Sequence, residues 1–76
     1  MTSLSLNEKI GIKIRLYRTK KKLSQEKFGE LADLSKNSIS SIERGESSPT
    51  IDTLDRIAKA LDIELKELVD VSKIDL

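Results

Sequence analysis

Ser24-Gln25-Glu26-Lys27-Phe28-Gly29-Glu30-Leu31-Ala32-Asp33-Leu34-Ser35-Lys36-Asn37-Ser38-Ile39-Ser40-Ser41-Ile42-Glu43-Arg44-Gly45 reads as two short helices joined by a tight turn. Ser24 is a candidate N-cap, because its hydroxyl can accept from an orphan N–H of the first helical turn. Lys27 stands where a capping box would place an acid. Phe28, Leu31 and Ala32 fall at i, i+3 and i+4, one face of a helix directed at a core. Asp33-Leu34 interrupts that run, and Ser35 caps a second helix with apolar positions at Ile39 and Ile42. Gly45 ends it, since glycine tolerates the left-handed conformation common at helix C-termini.

The outer face of the second helix carries Lys36, Asn37, Ser40, Ser41 and Arg44, all hydrogen-bonding residues and none bulky and apolar. The major groove of DNA can use such a face: Asn pairs bidentately with adenine, Lys contacts guanine, and Ser contacts either. Solvated helix faces are built from the same residue types, so this helix alone leaves both readings open.

A longer set of matches narrows the choice. Leu23-Ser24-Gln25, Phe28-Gly29, Leu31-Ala32, Ile39-Ser40, Ile42-Glu43-Arg44-Gly45, Pro49, Leu54, Ile57-Ala58 and Leu61 stand in register with one pattern. In these residues the chain resembles the lambda-repressor-like helix-turn-helix family, also called the Xre or Cro type. The resemblance runs from about Ile10 to about Leu68. It implies an all-α, five-helix DNA-binding domain, with the helix after the turn as the recognition helix.

The same resemblance implies roles for individual residues. Lys36, Asn37 and Ser41 would face base edges, with Ser40 nearby. Gln25 would hold a phosphate at the start of its helix, and Ser38, Arg44, Ser48 and Thr50 would meet the DNA backbone. Arg18 and Glu43 would form a structural ion pair tying the first helix to the end of the recognition helix. No cofactor and no metal are expected. Two residues depart from the family pattern: Gly29 replaces the usual Ala, and Asp33 replaces the turn glycine at a position that favours positive φ.

Outside this stretch, residues 1–6 are expected to be a flexible arm, 7–70 the DNA-binding domain and 71–76 a tail. The first helix is expected from an Asn7 N-cap to about Lys22, with Ile10, Ile14 and Tyr17 facing the core. Ile12 and Leu16, at places more often polar in the family, either broaden that contact or mark a second surface. Lys20-Lys21-Lys22 suits the negative end of the helix dipole and could add diffuse attraction to phosphate. Pro49 stops the recognition helix. Thr50 or Ser48 caps a fourth helix over about Ile51–Leu61, with Ile51, Leu54, Ile57, Ala58 and Leu61 at core spacing. A short fifth helix, Glu64 to about Asp70, turns Leu65 and Leu68 inward. Val69, Val71, Ile74 and Leu76 exceed what so small a core needs, and are expected to form a homodimer interface rather than fold back on the domain.

Composition bounds the rest. A chain of 76 residues makes one small domain. With no Cys and no His, it lacks disulfides, thiolate nucleophiles, imidazole bases and the common zinc sites. No apolar run approaches the roughly 18 residues of a membrane span, and Met1–Leu6 is no signal peptide, so a cytoplasmic protein of bacterial or phage origin is expected. The net charge of +1 hides a division. Residues 1–45 carry ten Lys/Arg against five Asp/Glu, whereas residues 46–76 carry four against eight. A basic half holding the recognition helix suits docking on a polyanion, although a chance split would look the same.

The expectation is therefore a dimeric transcriptional regulator on a pseudopalindromic operator, not an enzyme. Restriction–modification controllers, small phage repressors and antitoxins all fit, the controller type best. The competing reading is a protein-interaction module that keeps the fold without reading bases. RNA polymerase or another partner protein could meet the acidic Glu26, Glu30 and Asp33. Against the module stand the basic half and the scarcity of aromatic anchors, with one Tyr and one Phe.

Overall fold

Five helices follow one another in the computed structural model, which describes residues 3–72 and 74. They are α1 (Leu6–Lys20), α2 (Gln25–Ala32), α3 (Lys36–Glu43), α4 (Ile51–Ala60) and α5 (Leu65–Val69). No strand occurs among the described residues. The core gathers Ile10 and Ile14 of α1, Phe28 and Ala32 of α2, and Ile39 and Ile42 of α3 against Leu54, Ile57, Ala58, Leu61 and Leu68. Helix α3 packs on both α1 and α2, α4 rests on α2 and α5, and α5 returns to α1.

Side-chain caps fix the start of the first four helices. The hydroxyls of Ser5, Ser24, Ser35 and Thr50 accept from Glu8, Lys27, Ser38 and Thr53 N–H at 3.0–3.1 Å. The α1 cap corrects the expectation of Asn7. Ser5-Leu6-Asn7-Glu8 forms a complete capping box, in which Glu8 Oε1 also accepts from the Ser5 N–H at 2.9 Å. Two orphan donors are satisfied at once, which Asn7 could not do from inside the turn. Residues 5 and 6 thus belong to the helical domain rather than to an arm.

The same four helices end alike. At each, a residue at positive φ (Lys22, Asp33, Gly45 or Asp62) reverses the chain. The next N–H then reaches back five residues: Leu23 to Arg18 O, Leu34 to Gly29 O, Glu46 to Ser41 O and Ile63 to Ala58 O. These are Schellman motifs, whose following residue commonly seals the turn by an apolar contact. Leu23, Leu34 and Ile63 do so, packing against the core. At the end of α3 the corresponding residue is Glu46, which is exposed.

Two apolar positions lie elsewhere than periodicity predicts. Leu31 and Ile51 are 53% and 68% exposed instead of buried. The buried seam of α2 runs through Phe28, Gly29 and Ala32, so Leu31 sits at its margin. Ile51, the first residue of α4, precedes the turn that meets the core. Leu16 is 54% exposed and does not broaden the core. It borders a surface groove of about 610 Å³ with Lys13, Tyr17, Lys20 and Ile74.

Helix α5 and the segment after it lie along α1. Lys13 Nζ donates to Asp70 O at 2.8 Å, and Tyr17 hydroxyl to Glu67 Oε2 at 3.4 Å. Val69 is exposed, Val71 packs against the core and Ile74 lies in the α1 groove. Leu76 lies outside the described residues.

Candidate functional site

Helix α3 is held from beneath by an ion pair. Arg18 Nε donates to Glu43 Oε2 at 2.6 Å and Nη2 donates to Oε1 at 3.1 Å, while Nη1 donates to Leu23 O at 2.7 Å. The two side chains are 11% and 4% exposed. Gln25 Nε2 also donates to Glu43 Oε1, at 3.1 Å. One carboxylate therefore gathers α1, the start of α2 and the end of α3. Charges taken from water are tolerated when paired and fully hydrogen-bonded.

Two glycines bring α3 close to α1. A Cβ on Gly11 would lie 2.5 Å from Glu43 O and 2.6 Å from Ile42 O. Gly45 combines φ +73° with backbone contact: a Cβ there would come within 2.9 Å of Glu8 N and 2.7 Å of its Cα. The end of α3 thus approaches α1 closely, Gly11 against the Ile42 and Glu43 carbonyls and Gly45 against the backbone and Cγ of Glu8. Gly11 is a functional support that the sequence motifs do not single out, although it carries a signal of its own. A mid-helix glycine costs about 1 kcal/mol relative to alanine, so its presence points to a neighbour that needs the space.

The opposite face of α3 is open. Its first turn holds no acid, whereas the first turns of α1, α2, α4 and α5 hold Glu8, Glu26, Asp52 and Glu67. The positive end of the α3 dipole is left without an acidic neighbour of its own, and Lys36 adds a further positive charge there. Lys36 and Gln25 border one surface groove of about 490 Å³ between α2 and α3. Asn37, Ser38, Ser41, Ser48 and Thr50 border another of about 450 Å³, between α3 and the loop to α4. Lys36, Asn37, Ser41 and Ser48 make no side-chain hydrogen bond or ion pair among the described residues. Ser38 accepts from Ser35 Oγ at 2.9 Å, and the Thr50 hydroxyl caps α4.

Ser40 and Arg44 form a third element on this face. Arg44 Nη1 donates to Ser40 Oγ. Its Nε and Nη2 donate to Glu46 Oε2 and Oε1 at 2.9 and 3.0 Å. This pair is exposed, with side chains 54% and 58% accessible. Hydrogen bonding to the partner, reinforced by its charge, raises the Arg44 pKa and lowers that of Glu46. Glu46 is not among the residues that sequence reasoning singles out. Nothing local marks it, because its contact with Arg44 requires the reversal at Gly45. No cluster of three or more potential metal ligands occurs among the described residues, and no helix there is long and apolar enough to cross a membrane.

The family model described as Helix-turn-helix matches residues 14–68. Control protein C.BamHI of Bacillus amyloliquefaciens is 40% identical over 65 residues, which are 84% of this chain and 80% of that protein. The crystal structure of the restriction-modification controller protein C.AhdI of Aeromonas hydrophila superposes with a TM-score of 0.80 at 37% identity, covering 82% of this chain and 94% of that one. A crystal structure of SinR, the master regulator for biofilm formation, in complex with DNA gives a TM-score of 0.76 at 35% identity, covering 80% of this chain and 98% of that one.

Proposed function

The chain belongs to the helix-turn-helix family, and from that membership and the open face of α3 we propose that it is a transcriptional regulator reading double-stranded DNA. It binds a pseudopalindromic operator as a homodimer, with α3 in the major groove. The observation that carries this reading is the pairing of one firmly held helix with an exposed face on which Lys36, Asn37 and Ser41 have no side-chain hydrogen-bond partner among the described residues. Lys36, Asn37 and Ser41 meet base edges, and Ser40 lies beside them. Asn37 and Lys36 dominate the readout, since a serine cannot make the two-point contact that discriminates bases by about 1–3 kcal/mol.

Phosphate contacts set register and affinity around those base contacts. Gln25 serves from the start of α2, where backbone amides also point outward. Ser38 keeps its own hydroxyl hydrogen to donate, and Ser48 and Thr50 line the far rim of the groove. Arg44 reaches the backbone beyond the last turn of α3. Dimerisation through the exposed Val69, with Val71, Ile74 and Leu76, would place two α3 helices in successive major grooves, about 34 Å apart. Among the regulators that share this fold, the restriction–modification controllers supply the working model for the chain's role, on the likeness to C.BamHI and C.AhdI.

Selection of bound duplexes from a random pool, comparing wild type with Asn37→Ala, tests the reading. Enrichment of a two-fold symmetric sequence by wild type, relaxed at one symmetric pair of positions by the variant, is the expected outcome. Failure to enrich any sequence at low salt, where attraction to phosphate is strongest, would refute it.

A further inference from the structure

Glu46 is an unexpected residue to find on the proposed DNA face. Between Asp33 and Asp52 the chain has two acids, Glu43 and Glu46. Glu43 is buried beneath α3, so Glu46 is the acid that this stretch presents to solvent. At the equivalent position of the other three Schellman motifs, an apolar residue packs on the core. Glu46 has no such packing role. Its carboxylate instead occupies the fork of Arg44, while Ser40 holds the remaining nitrogen.

A carboxylate and a phosphate offer a guanidinium the same thing, two oxygens spaced for two parallel N–H donors. We propose that Glu46 is an internal competitor of the DNA backbone for Arg44. In the free protein the carboxylate holds and neutralises the guanidinium. When α3 docks in register, a phosphate displaces Glu46 and takes the fork. The inference rests on the DNA-binding reading above and adds to it an internal limit on affinity.

The exposure of the pair makes the exchange easy, because water solvates both partners as they separate. Its effect depends on register. On DNA that does not bring a phosphate to the end of α3, Arg44 stays neutralised and the basic half attracts the backbone with one charge fewer. On a matched site the phosphate arrives where the fork is, and Arg44 contributes. Glu46 thereby lowers affinity most on matched DNA, where its pair with Arg44 must be given up, and less on unmatched DNA, where the pair stays intact.

The test uses the full chain and its variants Glu46→Gln, Arg44→Gln and the double variant. Each is titrated with a scrambled duplex and with the duplex enriched by selection, over a range of salt concentrations. The exchange of the Arg44 Nε–H is followed by NMR. In the free wild type this hydrogen should be protected, and Glu46→Gln should abolish the protection. Glu46→Gln should tighten binding to the enriched duplex by about two- to fivefold, the range by which exposed pairs bias an equilibrium, and to the scrambled duplex by less. In the Arg44→Gln background that gain should disappear. Arg44→Gln should reduce the slope of log affinity against log salt on the enriched duplex by about 0.9, the loss of one phosphate contact.

Equal gains from Glu46→Gln in both backgrounds would reduce Glu46 to a general charge effect and overturn the proposal. Weaker binding by Glu46→Gln would overturn it too, making the carboxylate a support that aims Arg44. An unchanged salt slope in Arg44→Gln would mean that no phosphate takes the fork, and the exchange would be refuted on that ground. If selection enriched no duplex and wild type did not bind the scrambled one at low salt, while the Arg44 hydrogen remained protected, the DNA-binding reading itself would have failed and the proposal with it. That pattern is distinct from the others because the internal pair would still be intact.

Discussion

Glu43 and Arg44 are neighbours in the chain, yet each belongs to a different arginine–glutamate pair. Arg18–Glu43 and Arg44–Glu46 have the same two-point geometry and nearly the same lengths. The first lies under α3 with both side chains almost fully covered, and the second lies over its end in water. Solvation, not geometry, separates their roles. A covered pair cannot be opened from one side without stranding a charge, so it fixes structure. An open pair costs little to separate and can exchange one anion for another.

Neutralising one acid of each pair should break the comparison most sharply. Glu43→Gln strands the Arg18 charge and should lower stability by about 3–5 kcal/mol, the usual effect of removing one partner of a buried pair. Urea denaturation followed by circular dichroism measures it. In a small domain that is a large share of the total, and DNA binding should be lost along with the fold. Glu46→Gln should leave the urea midpoint where it is in the wild type. A shift comparable to that of Glu43→Gln would show that the two pairs do not differ as described.

Gly45→Ala probes the contact between α3 and α1. A Cβ meeting Glu8 backbone, on a residue at φ +73°, should cost about 1–3 kcal/mol through overpacking. Lys22→Gly sharpens the comparison among the helix ends. Lys22 holds φ 59° at the end of α1, where left-handed strain on a side-chain-bearing residue exceeds the entropy cost of glycine. A gain of about 0.5–1 kcal/mol is expected, again read from the urea midpoint. Opposite signs at two chain reversals of the same type would separate a glycine required by its neighbours from a position where glycine is merely better.

Much of this is legible in the residues. Serine or threonine before each of the first four helices, Asp33 and Gly45 after the second and third, and the 3.6-residue spacing of Ile, Leu and Phe all point to one arrangement. Nothing in the residue type marks Lys22 at its positive φ. Periodicity gives the direction of a buried face and not its width, which is why Leu31 and Ile51 are expected inside and lie outside. The Ser5–Glu8 capping box is present in the sequence, but Asn7 is an equally good capping type and competes with it. Resemblance to a family pairs Arg18 with Glu43. No rule of spacing could do so across 25 positions. Gln25, expected at a phosphate, also donates to Glu43. That bond depends on how α2 crosses α3, which one-dimensional patterns do not contain. Glu46 is invisible for the related reason that a chain reversal brings it back to Arg44.

The backbone contacts at Gly11 and Gly45 also bear on the thermodynamics of recognition. A helix seated on its neighbour through main-chain atoms, and pinned by a buried ion pair, has little freedom left to lose when it meets a ligand. For this face, association would draw on the mobility of a few exposed side chains, such as Lys36 and Asn37, while the scaffold remains as it is. Binding by such a preorganised surface spends less of its interaction energy on ordering. The heat capacity change on complex formation should then reflect the surface buried in the interface rather than coupled folding of the chain.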